Sequence, residues 1–255
     1  VSARLSLALI CRDEARRLPG WLAANAPAAD EVVAVDSGSG DGTPELLRAA
    51  GARVEVRGWS GYADQRNRAA ELCTGDWVLF LDADELMDAE LAGALARLRQ
   101  GPEPAEAGFE LGFRVFFFGR PLDHGGFGRE RHLRLVRRGR GRWLPRGVHE
   151  TLRVEGPVGR LPGRVRHYSY DSVGDYLRRL ERYSAEAAAE MRAAGRRAGP
   201  FGAWAHGAWA FASRYLLRAG FLDGWPGYLA ARLEGLYTFS KYARLLELTR
   251  RGEGR

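Results

Sequence analysis

The first hundred residues alternate short apolar runs with helical segments, and this alternation limits the possible folds more than any other feature of the chain. Leu5–Ile10, Glu31–Val35, Arg53–Val56 and Trp77–Leu81 read as strands, and the stretches between them read as helices. Strands joined through helical crossovers predict a mostly parallel sheet with helices on both faces, an α/β fold. The helix after Asp41 is well signalled: Thr43 stands where a cap is needed, Pro44 takes the first helical position, and Gly51 follows the last turn. An open α/β sheet binds its ligand outside the carboxyl ends of its strands, so the residues just after each strand are the ones to read for chemistry.

Gly101–Pro104 reads as a boundary, and the pattern changes beyond it. Phe109–Phe118 is an aromatic-rich strand pattern, Arg129–Arg146 is dense in arginine, and His149–Val154 and Arg164–Tyr170 read as further strands. From Ser172 helical periodicity returns with many aromatics, so the chain divides into segments 1–100, 101–170 and 171–255. No internal repeat of fixed period is present.

Hydrophobic residues make up 45% and charged residues 28% of the 255, an ordinary balance for a folded domain that excludes disorder as the main state. The net charge of +7 favours an anionic partner without selecting one. Lys241 is the only lysine, which favours bidentate arginine clamps on phosphate over Schiff-base chemistry. Two cysteines, Cys11 and Cys73, form neither a disulfide framework nor a metal-ligand spacing, and a reducing cytosol is the expected compartment. Leu5–Ile10 is too short for a signal-peptide core, and no run reaches the roughly 18 apolar residues of a spanning helix. Attachment to a membrane surface stays open.

The strongest chemical signal is Phe80-Leu81-Asp82-Ala83-Asp84-Glu85, an apolar strand that ends in three carboxylates within four residues. Like charges this close repel, and no adjacent lysine relieves them. A hard divalent cation such as Mg²⁺ or Mn²⁺ would, since it takes one or two carboxylates together with waters and substrate phosphates. The competing reading makes these acids the cap of the helix that begins near Asp88. A second strand, Glu31–Val35, ends in the polar turn Asp36-Ser37-Gly38-Ser39-Gly40-Asp41-Gly42-Thr43. Neither GxxxxGK[ST] nor GxGxxG spacing is present, and Asp36 and Asp41 would repel a bare pyrophosphate. Accepting hydrogen bonds from a base or ribose suits these two carboxylates better, although Asp and Gly are common in any turn.

These residues resemble a known family. Val32 to Thr43, Gln65-Arg66-Asn67 and Gly75 to Glu85 are similar to glycosyltransferase family 2. Val148-His149-Glu150, His167-Tyr168-Ser169-Tyr170 and Gly220 to Gly224 resemble its bacterial branch that includes lipopolysaccharide inner-core glucosyltransferases. The resemblance implies a Rossmann-like nucleotide-sugar-binding domain of GT-A type with a helical C-terminal extension, inversion at the anomeric carbon, and a divalent metal on the donor diphosphate. Residues 1–100 would then form the donor half and 101–170 the acceptor-side half. Asp36 would contact the nucleoside, Asp41 would lie in the accompanying loop, and Asp82 and Asp84 would be the DxD pair. A UDP-hexose donor and a cell-envelope glycan or lipid-linked glycan acceptor are implied, at the inner face of the cytoplasmic membrane. Gly40 stands where the family usually has Thr, and Cys11-Arg12-Asp13-Glu14 departs where Asn often precedes Glu.

An inverting transfer needs a base for the acceptor hydroxyl. Glu150, at the head of an alternating strand after an arginine-rich segment expected to be a mobile loop, is the first candidate, and Glu85 the second. The competing reading for Glu150 is a strand acid paired with Arg146 or Arg153. His167 is a candidate third metal ligand, against a purely structural role, and Arg66 and Arg134 are candidate diphosphate contacts. The aromatic C-terminal helices read as helix packing with a membrane-facing rim. A nucleic-acid binder, a nucleotidyltransferase and a glycoside hydrolase are the alternatives, and no recognised nucleic-acid module supports the first.

Overall fold

The computed structural model describes residues 2–128, 130–146, 149–170 and 172–253. In chain order the elements are β1 (Leu5–Cys11), α1 (Leu18–Asn25), β2 (Glu31–Asp36), α2 (Thr43–Ala49), β3 (Arg53–Val56), α3 (Tyr62–Leu72), β4 (Trp77–Phe80), β5 (Glu85–Met87) and α4 (Ala89–Gln100). They continue with β6 (Gly108–Phe117), β7 (Arg120–Leu122), β8 (Arg131–Arg137), β9 (Gly141–Arg146), β10 (His149–Val154), β11 (Val158–Tyr170), α5 (Val173–Ala193), α6 (Pro200–Ala212) and α7 (Gly224–Glu253). Two compact units result, residues 1–113 with 131–167, and residues 114–130 with 168–255. The segment 114–130, expected from sequence to go with 101–170, groups with the C-terminal helices.

The first unit is built on a sheet of order β3-β2-β1-β4-β8-β6-β11-β5. β1 pairs in parallel with β2 and β4, and β2 with β3, as the helical crossovers require. β8 then runs antiparallel to β4, and β5 antiparallel to β11. Strands covered on both faces become continuous apolar runs, and β1 and β4 show it. Leu7 and Leu79 enter one core with Trp21 and Leu91, while Ala8, Val78 and Phe80 enter the other with Val33 and Trp143.

Three local expectations change. Thr43 is the first residue of α2 and not its cap; Gly42 holds the cap position at φ +87°, a conformation that a side chain disfavours. Thr43 Oγ1 instead donates to Asp41 and accepts from Glu14 N, tying the turn to the end of β1. The arginine-rich segment is not a loop: it forms β8 and β9, the latter paired antiparallel with β10. β11 begins at Val158, well before Arg164. Glycine permits its crossing of the first unit, since a Cβ on Gly163 (φ +83°) would meet the Leu91 backbone at 2.2 Å.

The second unit has its own core of Val115, Phe117, Leu122, Tyr176, Ala230 and Leu233. Tyr176 hydroxyl donates to Leu233 O at 2.8 Å, which ties α5 to α7. Helices α6 and α7 meet at a glycine pair: a Cβ on Gly207 would lie 3.0 Å from Gly235 O, and one on Gly235 3.0 Å from Gly207 O. The Asp223 carboxylate accepts from Asp123 N, His124 N and His124 Nδ1, holding the loop after β7 to the turn before α7.

Candidate active site

The acidic turn after β4 is positioned by α1. Trp21, fully buried, donates from Nε1 to Asp82 O at 2.9 Å. Asn25, also fully buried, donates to Glu85 O at 3.0 Å and accepts from Met87 N at 2.9 Å. Glu85 closes the turn on itself, its Oε2 accepting from Asp82 N at 2.9 Å. The helix-capping reading of the three acids fails, because α4 is capped by Asp88 alone, whose Oδ1 accepts from Leu91 N at 2.8 Å. Asp82, Asp84 and Glu85 are therefore held at a strand end by groups that leave their side chains to other partners.

Those partners are cationic. Arg66 Nη2 contacts both oxygens of Asp82 at 2.7 and 2.8 Å, and its Nη1 is ion-paired with Glu150. Arg134 Nη2 donates to Glu85 Oε1 at 2.9 Å and lies 3.6 Å from Asp82. His167 Nε2 sits 3.6 Å from Asp84 Oδ2. The Trp143 ring supports both guanidiniums, with Arg66 at 4.5 Å and Arg134 at 5.9 Å from its centroid. The structure thus brings together Arg66, Asp82, Asp84, Glu85, Arg134, Glu150 and His167, which were picked from segments far apart in sequence. Glu150 is paired across 84 positions with Arg66; among the described side chains it has no ion pair with Arg153, and the Arg146 side chain lies outside them.

Burial and charge set the protonation states. Burial works against ionised Asp82, but the Arg66 and Arg134 guanidiniums outweigh it and hold the carboxyl down at about 2. Glu85 is shifted upward by burial and by the Asp82 and Asp84 charges, against the pull of Arg134. Burial opposes a charged His167, yet Asp84, Glu85 and Asp82 push it up to about 9. Four carboxylates thus face two guanidiniums and one imidazolium.

Asp82, Asp84 and His167 fit a divalent ion by donor type, two carboxylates being the common protein contribution for Mg²⁺ or Mn²⁺. Among the described residues, no three or more His, Cys, Asp or Glu side chains are already grouped as a metal site. Arg66 meanwhile occupies both oxygens of Asp82. Arg134 supplies the complementary feature. Its Nε and Nη1 are buried without a hydrogen-bond partner, so a planar cation in the site has donors left for an anion.

The end of β2 is arranged differently. Asp36 is fully buried and accepts from Gly38 N at 3.0 Å, Ser39 N at 2.9 Å, Ser39 Oγ and Cys11 Sγ. Asp41 accepts from Thr43 N, Thr43 Oγ1 and Ala15 N. Both were expected to offer oxygens to a base or ribose, and here those oxygens build the turn. Asp13 joins the same lattice by accepting from Gly40 N and donating its own N–H to Ser39 Oγ. The Cys11 thiol is raised by burial and by Asp36, and Cys73 is pushed up to about 12 chiefly by burial, which leaves both as unreactive core thiols.

Sequence reasoning missed Trp21, Asn25 and Trp143. Only Asn25 left a trace, as an amide among the apolar residues of α1.

Comparison with known proteins agrees with this geometry. The profile described as Glycosyl transferase family 2 matches residues 7–141. A lipopolysaccharide core biosynthesis glycosyltransferase (LpsC) of Rhizobium meliloti is 32% identical over 200 residues, covering 76% of this chain and 73% of that protein. An uncharacterized glycosyltransferase of Rickettsia typhi is 23% identical over 256 residues, covering 96% and 88%. Among solved structures, a mannosyltransferase of Pyrobaculum calidifontis in complex with GDP-Man and Mn²⁺ aligns over 96% of this chain and 88% of its own, at 19% identity and a TM-score of 0.55. That similarity establishes the shared GT-A fold, with its mixed sheet and C-terminal helices.

Proposed function

Since the chain belongs to glycosyltransferase family 2, we propose that this enzyme moves a hexose from a UDP-sugar to a hydroxyl of a cell-envelope glycan such as lipopolysaccharide core, with inversion and with a divalent metal. The observation that carries the reading is the strand-end cluster of Asp82, Asp84 and His167 beside Arg66, Arg134 and Glu150. The lipopolysaccharide acceptor is favoured by the similarity to LpsC. A lipid-linked acceptor places the work at the inner face of the cytoplasmic membrane; among the described residues no helix is long and apolar enough to cross it.

The roles follow from what each side chain already does. Asp82, Asp84 and His167 would hold Mg²⁺ or Mn²⁺, which supplies positive charge for the departing diphosphate. Arg134 turns its unpartnered nitrogens to phosphate oxygens, and Arg66 joins it on leaving Asp82. Asp36 and Asp41 keep the turn on which the nucleoside rests. Glu150 takes the proton of the acceptor hydroxyl as that oxygen attacks the anomeric carbon and the bond to the diphosphate breaks. Glu85, 1% exposed and bonded through both oxygens, serves as a positioning residue and not as the base.

Calorimetric titration of UDP, GDP and ADP with and without Mn²⁺ tests the reading, with Asp84→Ala as control. Selective, metal-dependent UDP binding that the variant loses is the expected result. Binding that ignores both metal and Asp84 would sink the assigned site.

A further inference from the structure

Helix α6 and the turns that follow it combine three properties. The first is exposure of large apolar side chains: Phe201 is 75%, Trp204 61%, Trp209 63% and Leu217 69% exposed. The second is charge. Residues 192–222 contain five arginines (192, 196, 197, 214 and 218) and no aspartate or glutamate. The third is a fixed orientation. Ala203 and Gly207 are buried where α6 meets α7 at the Gly207–Gly235 contact, so the helix cannot roll to hide Phe201 and Trp204. Phe221 and Trp225 extend the exposed apolar surface through the next turn to the start of α7.

Large apolar side chains exposed together on this scale mark an interaction site. We propose that this face is an interfacial membrane anchor that rests on anionic phospholipid. Tryptophan and phenylalanine flanked by arginine suit the boundary between acyl chains and headgroups, where an apolar ring and a cation are both accommodated. At 1.5 Å per residue the 13 residues of α6 reach only about 20 Å, short of the ~30 Å hydrocarbon core, so the helix lies in the interface and does not span. A second copy of the chain is the poorer occupant, because a two-fold pairing sets the exposed Arg196, Arg197 and Arg218 against the same residues of the copy. The face deepens the peripheral location proposed above and rests on that reading only for its purpose.

The test is flotation of the full chain with vesicles of phosphatidylcholine, alone or with about one-quarter phosphatidylglycerol. Wild-type protein should float with the anionic vesicles. Phe201→Ser/Trp204→Ser should weaken that binding by roughly tenfold or more, with unchanged circular dichroism. Leu46→Ser, which removes an exposed apolar side chain from the other unit, should bind like wild type. Three results would overturn the anchor: no binding to anionic vesicles at low salt, equal binding by the double variant, or capture by polyaspartate beads without capture by vesicles. A concentration-dependent dimer that the double variant abolishes would overturn it in favour of a second copy. Vesicle binding is read without donor or acceptor, so it stands or falls apart from the sugar-transfer assignment.

Discussion

Two strands of one sheet end in aspartate, and the protein treats the two ends in opposite ways. At the end of β2 the Asp36 carboxylate is neutralised by dipoles, the N–H groups of Gly38 and Ser39 and the hydroxyl of Ser39, and it is fully buried. After β4 the Asp82 carboxylate is met by a full positive charge on Arg66 and remains 30% exposed. Short-range dipoles from the same turn fix a backbone shape. A guanidinium from another helix is a separable partner, and its departure would free an anion for the proposed metal. In the proposed reading the first end would serve architecture and the second chemistry.

Substitution at Asp84 should produce the largest effect and the sharpest contrast. Asp84→Asn is expected to lower turnover by about 1,000-fold while shifting stability by under ~1 kcal/mol, since the side chain's only described ion pair is the 3.6 Å contact with His167. Initial rates beside a urea melt would check this, and retained turnover would break the division of labour. Arg66→Met comes next. It strands Asp82 and Glu150 together, and an unfolding free-energy loss of about 3 kcal/mol is expected in urea, partly recovered in Arg66→Lys.

At the other end, Asp36→Ala should cost about 2 kcal/mol by leaving buried donors without an acceptor. Asp36→Asn should cost less, since its amide oxygen still accepts. High salt should leave the Asp36 deficit unchanged and shrink the Arg66 deficit. The same stability difference at low and high ionic strength for both variants would erase the contrast.

The smallest effect is a pH dependence at Glu31, a third carboxylate satisfied in the β2 manner. Burial raises it, but bonds from Ser6, Thr74 and Gly75 win and hold it below the ordinary 4.5. A lowered folded value means that the stabilisation is present above 4.5 and is lost as pH falls through the folded value. The gap in urea midpoint between wild type and Glu31→Gln should therefore be full near neutrality and close in acid. A constant gap across that range would show that Glu31 is not held by these donors.

What was legible in the chain follows from range. Periodicity is local, so β1 to β4 and the parallel sheet could be read directly, as could the abrupt stop of an apolar strand at Asp82. Glu150 and Arg66 were each visible as candidates, but their pairing spans 84 positions and was hidden behind two nearer arginines. The arginine-rich stretch reads as a loop because its polar side chains mask the strand pairing that β8 gains from β4 and β6. Trp21 gives no chemical signal, and Asn25 only an amide among apolar residues, because both act through the backbone of the acidic turn.

Arg66 gives the site the character of a loaded ion exchanger. One guanidinium is shared between Asp82 and Glu150, so a diphosphate that recruited it would unmask both acids at once. In the proposed reading, loading the donor and exposing the carboxylates would be one event. A hydroxyl that arrived before the donor would meet Glu150 still bound to its counter-ion, so one side chain would set the order of events.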